Sequence, residues 1–90
     1  NQLTLNLTYR DLLSPATMSH IHGPASFLQS AGVLVGLDGL SGGGYGSAGG
    51  LSGTVSLVTS NLLSVIDGST YVNFHTTNYP AGEIRGHILR

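Results

Sequence analysis

The chain has 90 residues and no cysteine, so we expect one small domain without disulfide bonds. Only 8% of the residues are charged and the formal net charge is −1, which argues against the basic surface that nucleic-acid binding requires. No apolar run has the length of a membrane span. A domain this small usually needs a bound metal or association with other chains. The neutral, polar surface favours an extracellular, assembled protein over a cytosolic enzyme.

The first half of the chain contains three predicted strands. Residues 2–9, QLTLNLTY, alternate strictly between apolar and polar side chains and predict a half-buried strand. Residues 16–22, ATMSHIH, predict a short second strand that ends at Gly23 and Pro24. Residues 31–37, AGVLVGL, form an apolar run that predicts a third strand buried on both faces.

The second half begins with a glycine-rich stretch, Asp38 to Gly53, which is predicted as a loop or hairpin of functional or disordered character. Residues 54–68 begin as a strand and contain one or two helical turns, with Ser60 as the candidate N-cap. Residues 70–76 and 83–89 are predicted to form a β-hairpin. Short strands separated by turns predict an all-β fold, a small antiparallel β-sandwich or barrel.

Two of the four histidines lie in the second predicted strand, one residue apart. Because side chains two positions apart share one face, His20 and His22 point the same way as Met18, whereas Ile21 points into the core. In the final hairpin the apolar residues mark the core face, and the opposite face carries Tyr71, Asn73, His75, Glu83, Arg85 and His87. We therefore expect His75 and His87 to lie close together across the hairpin.

Imidazoles on one rigid face of neighbouring strands predict a transition-metal site. The predicted ligands are His20, His22, His75 and His87. Copper is favoured over zinc because Met18 adds a soft thioether and the chain has no thiolate. The alternative is structural: the imidazoles bond backbone carbonyls and fix the turn at Gly23 and Pro24, or they lie in solvent. The residues alone leave both interpretations open.

Signatures of catalysis are weak. No serine lies in a G-x-S-x-G elbow, the four acidic residues are scattered, and no G-K-[ST] follows the glycines. Glu83 and Arg85 lie two positions apart, and we expect them to pair with each other or with a loop. The sequence thus predicts a protein that is not an enzyme, with a copper redox reaction as the enzymatic alternative.

Two long motifs, SHIHGPA at 19–25 and YVNFHTTNYPAGEIRGHI at 71–88, resemble the CHRD family, which is named after chordin and is common in secreted bacterial proteins. The resemblance covers nearly the whole chain and implies a Greek-key-like β-sandwich in an extracellular setting. The histidines that match the family are His20, His22 and His75. The closing motif is matched by Tyr71, Asn73, Thr76, Pro80, Gly82, Glu83, Arg85 and Gly86.

Two departures from the family bear on function. His87 stands where the family usually has glutamine, which adds a possible fourth ligand. The strands that the family has before LTLNLTY are absent, and the exposed strand edge is then either covered by something outside this chain or completed by a strand of a neighbouring chain. We therefore predict a secreted structural subunit that forms a homo-oligomer, a filament or a surface layer. The alternatives are a monomeric copper- or ligand-binding domain of a larger secreted protein, and a copper enzyme with a thin likeness to superoxide dismutase.

Overall fold

The computed structural model describes residues 1–40 and 45–89. Its elements in chain order are β1 Gln2–Tyr9, β2 Ala16–His22, β3 Val33–Gly36, a short 3-10 helix Asp38–Leu40, β4 Gly49–Ser56, α1 Thr59–Ile66, β5 Tyr71–Thr76 and β6 Ile84–His87. Strands β1 and β4 form one antiparallel sheet, and the second antiparallel sheet has the order β3-β2-β5-β6. The predicted all-β, sandwich-like fold is therefore confirmed.

The hydrophobic core lies between the two sheets. Strand β1 contributes Leu5 and Tyr9, as its alternation predicts, and the facing sheet contributes Ile21, Val72 and Phe74. The rings of Tyr9 and Phe74 have centroids 4.5 Å apart, so they join the sheets directly. Each such side chain stabilises the fold by about 1.5–3 kcal/mol when fully buried.

Two predictions about the middle of the chain are wrong. Strand β3 is an edge strand rather than a strand buried on both faces, and Val33 is 54% exposed. Strand β4 begins at Gly49, so the end of the glycine-rich stretch is strand and not loop. Within this strand Gly53 has φ +146°, and the side chain of Leu40 occupies the place where a Cβ would lie. Residues 41–44 of that stretch lie outside the described residues.

Helix α1 has two turns, within the one or two that the sequence predicts, but its N-cap lies two residues earlier than predicted. Val58 occupies the N-cap position without a side-chain hydrogen bond, so Ser60 lies inside the helix and is not the cap. Val65 is the buried residue of this helix. In the described ranges, no helix is long and apolar enough to cross a membrane.

The hairpin of β5 and β6 has a register that separates two histidines expected to be neighbours. Phe74 lies opposite Ile84, and Tyr71 lies opposite His87. A turn centred near Tyr79 therefore leaves His87 far along the strand from His75, and the expected proximity is wrong. All six residues of β5 are buried. The polar face of this sheet is thus covered by loops instead of facing solvent.

A hydrogen-bond network fixes the middle of β2, next to His20. Ser19 is fully buried, and its Oγ lies 2.6 Å from the hydroxyl of Tyr45. The Tyr45 hydroxyl donates to Asp38 Oδ1 at 2.7 Å, and the same oxygen accepts from the Ser19 N–H at 2.9 Å. Burial, assisted by the Asp38 carboxylate, raises the pKa of Tyr45 to about 12. The network ties the glycine-rich stretch to the strand that carries two histidines.

The network predicts an alkaline transition that depends on Tyr45. The folded pKa is about 12 and the unfolded pKa is 10.0, so the stabilisation is complete below pH 10 and is lost as pH rises through 12. We expect the free energy of unfolding to fall more steeply over that range in the wild type than in Tyr45→Phe. At pH 8 the variant should lose about 1 kcal/mol from the missing hydrogen bond. Urea unfolding at several pH values measures both effects, and equal pH slopes would contradict the assignment.

Candidate metal centre

Strands β2, β5 and β6 present one polar face that collects the residues singled out from the sequence. The pairs across β2 and β5 are Met18 with His75, His20 with Asn73, and His22 with Tyr71. The pairs across β5 and β6 on this face are Asn73 with Arg85 and Tyr71 with His87. Because directly paired residues share a face, the predicted common face of the histidines is confirmed by the register.

Three imidazoles converge at one end of this face. The ligand atoms of His20, His22 and His75 all lie within 4.8 Å of one another, and this group could hold a metal ion. His22 and His75 are buried, whereas His20 is half-buried. Metal–nitrogen bonds of about 2.0–2.1 Å place neighbouring donors roughly 3.4 Å apart, and His20 Nδ1 lies 3.1 Å from His75 Nε2. The spacing therefore fits a shared ion.

Backbone carbonyls hold two of the three imidazoles in a single orientation. Nδ1 of His22 lies 2.9 Å from the carbonyl oxygen of Ala31. Nδ1 of His75 lies 2.8 Å from the carbonyl oxygen of Pro80. A carbonyl only accepts, so each Nδ1 carries the proton and donates it, which leaves each Nε2 with a lone pair. This outer hydrogen bond is the one that metal-ligating histidines usually make.

The Nε2 atom of His22 is the clearest sign of a missing ligand. It is buried and has no hydrogen-bond partner in the described part of the chain. Leaving a buried polar atom unpaired costs about 1–3 kcal/mol, and a metal ion would remove that cost. Both interpretations of the histidines therefore apply to His22. Its Nδ1 bonds a backbone carbonyl and fixes a loop, and its Nε2 is available to a metal ion.

The electrostatics favour a neutral imidazole at His20, the form that binds metals. Burial is the main cause that lowers the pKa of His20, and the neighbouring charges of His75 and His22 lower it further. Asp38 acts in the opposite direction. Because His75 Nε2 has no proton, His20 Nδ1 donates to it in the metal-free protein, and an ion would displace that proton.

His87, the fourth predicted ligand, lies outside this group. His87 is directed elsewhere: its Nε2 donates to the carbonyl oxygen of Ala25 at 3.0 Å, and its ring lies 4.5 Å from that of Phe27. The structure does not bring His87 to the three-histidine cluster. Met18 shares the face and lies opposite His75, with 41% of its surface exposed.

The closing motif builds the turn that supports His75. The side chain of Thr76 accepts a hydrogen bond from the Tyr79 N–H at 3.1 Å and donates to Glu83 at 2.9 Å. Gly82 has φ +123°, and a Cβ there would collide with the amide of Asn73. These contacts set the position of the Pro80 carbonyl. Gly86, by contrast, has open space where a Cβ would lie, so no contact explains a glycine there.

Glu83 and Arg85 bond to loops instead of to each other. The second Glu83 oxygen accepts from the Leu13 N–H at 2.7 Å. The Arg85 guanidinium donates to the carbonyl oxygens of Gln29 and Ser26 at 2.8 and 3.3 Å. The sequence allowed Glu83 and Arg85 to pair with each other or with a loop, and the structure shows that both bond to loops.

Sequence reasoning missed the groups that orient the ligands. Ala31 and Pro80 act through their backbone carbonyl oxygens. Every residue has such an oxygen, so the residue type does not indicate this role. Ala31 also contacts Tyr71, because the Ala31 N–H donates a hydrogen bond to the Tyr71 hydroxyl at 3.0 Å. The ring of Tyr71 stacks on His22 at 5.1 Å between centroids, with 6° between the planes. Tyr71 belongs to the closing motif and to the polar face that strand alternation predicts, but neither signal indicates its contacts with Ala31 and His22.

Comparison with protein-family models matches the CHRD domain over residues 1–88. The chain therefore belongs to the CHRD family, as its two motifs predict. Neither the curated proteins nor the solved structures compared with it gave a match. The function must therefore be argued from the geometry of the site.

Proposed function

We propose that this chain is a secreted, non-enzymatic CHRD module that binds one transition-metal ion through His20, His22 and His75. The observation that carries the proposal is the buried, unpartnered Nε2 of His22, which lies among imidazoles whose ligand atoms are within 4.8 Å of one another. The ion stabilises the fold, because it binds the native arrangement and not the unfolded chain.

The need for such an ion follows from the size of the domain. Ninety residues without cysteine bury a limited fraction of their surface and cannot use disulfides. The cluster joins β2 to β5, and its outer hydrogen bonds reach Ala31 and Pro80 in two different loops. An ion held there would brace the strands and both loops at once.

Copper is the ion that we propose. Imidazole ligands suit both copper and zinc, so the choice depends on the neighbouring groups. Met18 shares the face and lies directly opposite His75, and we propose its thioether as the soft group that favours copper. The chain has no cysteine that could supply a soft thiolate ligand instead. The site therefore resembles the mixed imidazole and thioether sets that select copper.

The metal proposal predicts one tightly bound ion per chain and a higher melting temperature. At a free metal concentration of about 100 times Kd, binding adds about 2.7 kcal/mol, which raises Tm by roughly 10–20 °C in a domain of this size. His22→Ala should abolish the rise. Isothermal titration with copper and zinc, followed by thermal melts, measures both quantities.

The matched control is His87→Gln, because His87 lies outside the cluster. This variant should bind metal as the wild type does. Failure of the wild type to bind either ion, or loss of binding in His87→Gln, would contradict the proposed ligand set. Met18→Leu tests the choice of metal, since it should weaken copper(I) binding and leave zinc binding unchanged.

We further propose that the module assembles with copies of itself, and one side of the sandwich supports this. Strands β1 and β6 are the edges of their sheets and flank an open groove of about 450 Å³. Its apolar lining includes Leu5, Leu7, Val72, Phe74, Ile84 and Ile88. On the opposite side, Leu37 is fully buried and Leu40 packs against Gly53. In the described chain, nothing comparable covers the β1 and β6 side.

The chemistry of these edges fits an extended strand from a second copy. Unpaired N–H and C=O groups of an edge strand require main-chain partners, which another strand supplies. Proteins usually protect such edges with charges, but β1 contains none. The formal net charge of −1 produces little repulsion between copies. We therefore propose a homopolymer, a filament or a surface layer built on this side.

The assembly proposal predicts species heavier than the 9.3 kDa monomer, and their proportion should rise with concentration. Light scattering after size-exclusion chromatography and electron microscopy measure this. Ile84→Lys places a charge at the groove and should shift the protein towards monomer. Thr77→Lys is the control, because it adds the same charge at an exposed position in the turn between β5 and β6, outside both edge strands and the groove, and it should assemble normally. A monodisperse monomer at all concentrations would contradict assembly.

A further inference from the structure

In the described residues, the four-stranded sheet has two free edges, β3 at one end and β6 at the other. Strand β3 pairs with β2 alone, and β6 pairs with β5 alone. Each edge strand has four residues, none of them buried, whereas all six residues of the inner strand β5 are buried. Both edges therefore present backbone N–H and C=O groups that another strand can bind.

The direction of the strands allows these two edges to join. Every neighbouring pair in this sheet is antiparallel, so β3 and β6 of one copy run in opposite directions. When a second copy lies beside the first in the same orientation, its β3 is antiparallel to β6 of the first. Such a contact continues the antiparallel sheet across the two copies without reversing either of them.

The two edges carry exposed apolar side chains on matching faces. Val33 of β3 lies opposite His22, so it belongs to the polar face that carries the histidines, and it is 54% exposed. Beside β6 the same face carries Phe27, which is 66% exposed and packs its ring against His87. In the joined sheet, Val33 of the second copy lies on the side of Phe27 of the first. Pairing of the edges therefore brings two exposed apolar side chains together.

Gly86 supports the same pairing on the core face of the sheet. It lies opposite the core residue Val72 and lines the groove between β1 and β6, yet a Cβ there would meet nothing within 4 Å. A side chain of an adjoining strand can cover a strand glycine of this kind. Val35 of β3 faces the core, because it pairs with Ile21. In the joined sheet, Val35 of the second copy lies on the same face as Gly86 and extends the apolar lining.

Charge does not protect this junction. Strand β3 has no charged residue, and β6 has one, Arg85. The carbon centre of the Arg85 guanidinium lies 3.6 Å from the centroid of the Tyr71 ring, so the group is folded back over β5. It also donates to the carbonyl oxygens of Gln29 and Ser26. Proteins usually prevent edge pairing with charges that project from the edge, and neither of these strands uses that protection.

We propose that β6 of one copy pairs with β3 of the next, and that this head-to-tail contact joins the copies into a filament. The inference rests on the proposed assembly and names the strand that enters on the groove side. A contact between two different edges leaves one β3 and one β6 free at the ends, so it continues without closing. Because β-sheets twist, successive copies rotate and the filament is helical.

The test mixes two variants of this chain, each blocked at a different edge. Val33→Lys places a charge on β3, and Ile84→Lys places one on β6. Each variant alone should stay at the 9.3 kDa monomer mass at concentrations at which the wild type assembles. An equimolar mixture should form a heterodimer of twice that mass, because the intact β6 of one variant meets the intact β3 of the other. Light scattering after size-exclusion chromatography measures these masses.

The gain of mass on mixing separates a blocked edge from a misfolded variant, because unfolded chains do not form a defined heterodimer. Thr77→Lys adds the same charge outside both edges and should assemble alone as the wild type does. Wild-type assembly by Val33→Lys, a dimer of that variant alone, or a mixture that stays monomeric would each overturn the pairing of β6 with β3 and leave the assembly proposal intact. A wild type that stays monomeric at all concentrations would overturn both.

Discussion

The hydrogen bonds from His22 and His75 to backbone carbonyls are the interactions on which the rest of the site depends. Each bond fixes the proton on Nδ1 and directs Nε2 towards the centre of the cluster. A different tautomer would direct a proton towards the ion, and that proton would have to leave the nitrogen before the metal could bind. The acceptors, Ala31 and Pro80, lie in two loops, so the position of those loops decides whether the site exists.

The two loops are in turn fixed by the polar face that they cover. Tyr71 bonds to Ala31 and stacks on His22, so one side chain supports both a ligand and its acceptor. Thr76 performs the matching role at the other loop through Tyr79 and Glu83. Tyr71, Asn73 and Thr76 of the closing motif are buried, and their hydrogen bonds form part of an outer layer around the cluster.

Period-two alternation predicted β1 and the shared face of His20 and His22, because strand geometry alone determines which way a side chain points. It could not place His87, because alternation determines the face of a side chain but not the hairpin register, which pairs His87 with Tyr71, four residues before His75. The exposure of β3 also escaped prediction, because an apolar run does not report how many neighbours a strand has. The carbonyls that orient the ligands belong to the backbone, and no residue type marks them.

The measurement that tests this account most directly is nitrogen-resolved NMR of the histidine rings in the metal-free protein at neutral pH. We predict the Nδ1–H tautomer for His22 and His75, since both donate from Nδ1 to a carbonyl. His87 is an internal contrast, because it donates from Nε2 and should show the opposite tautomer. An Nε2–H tautomer at His22 or His75 would contradict the account, because the nitrogen directed to the metal would then carry a proton.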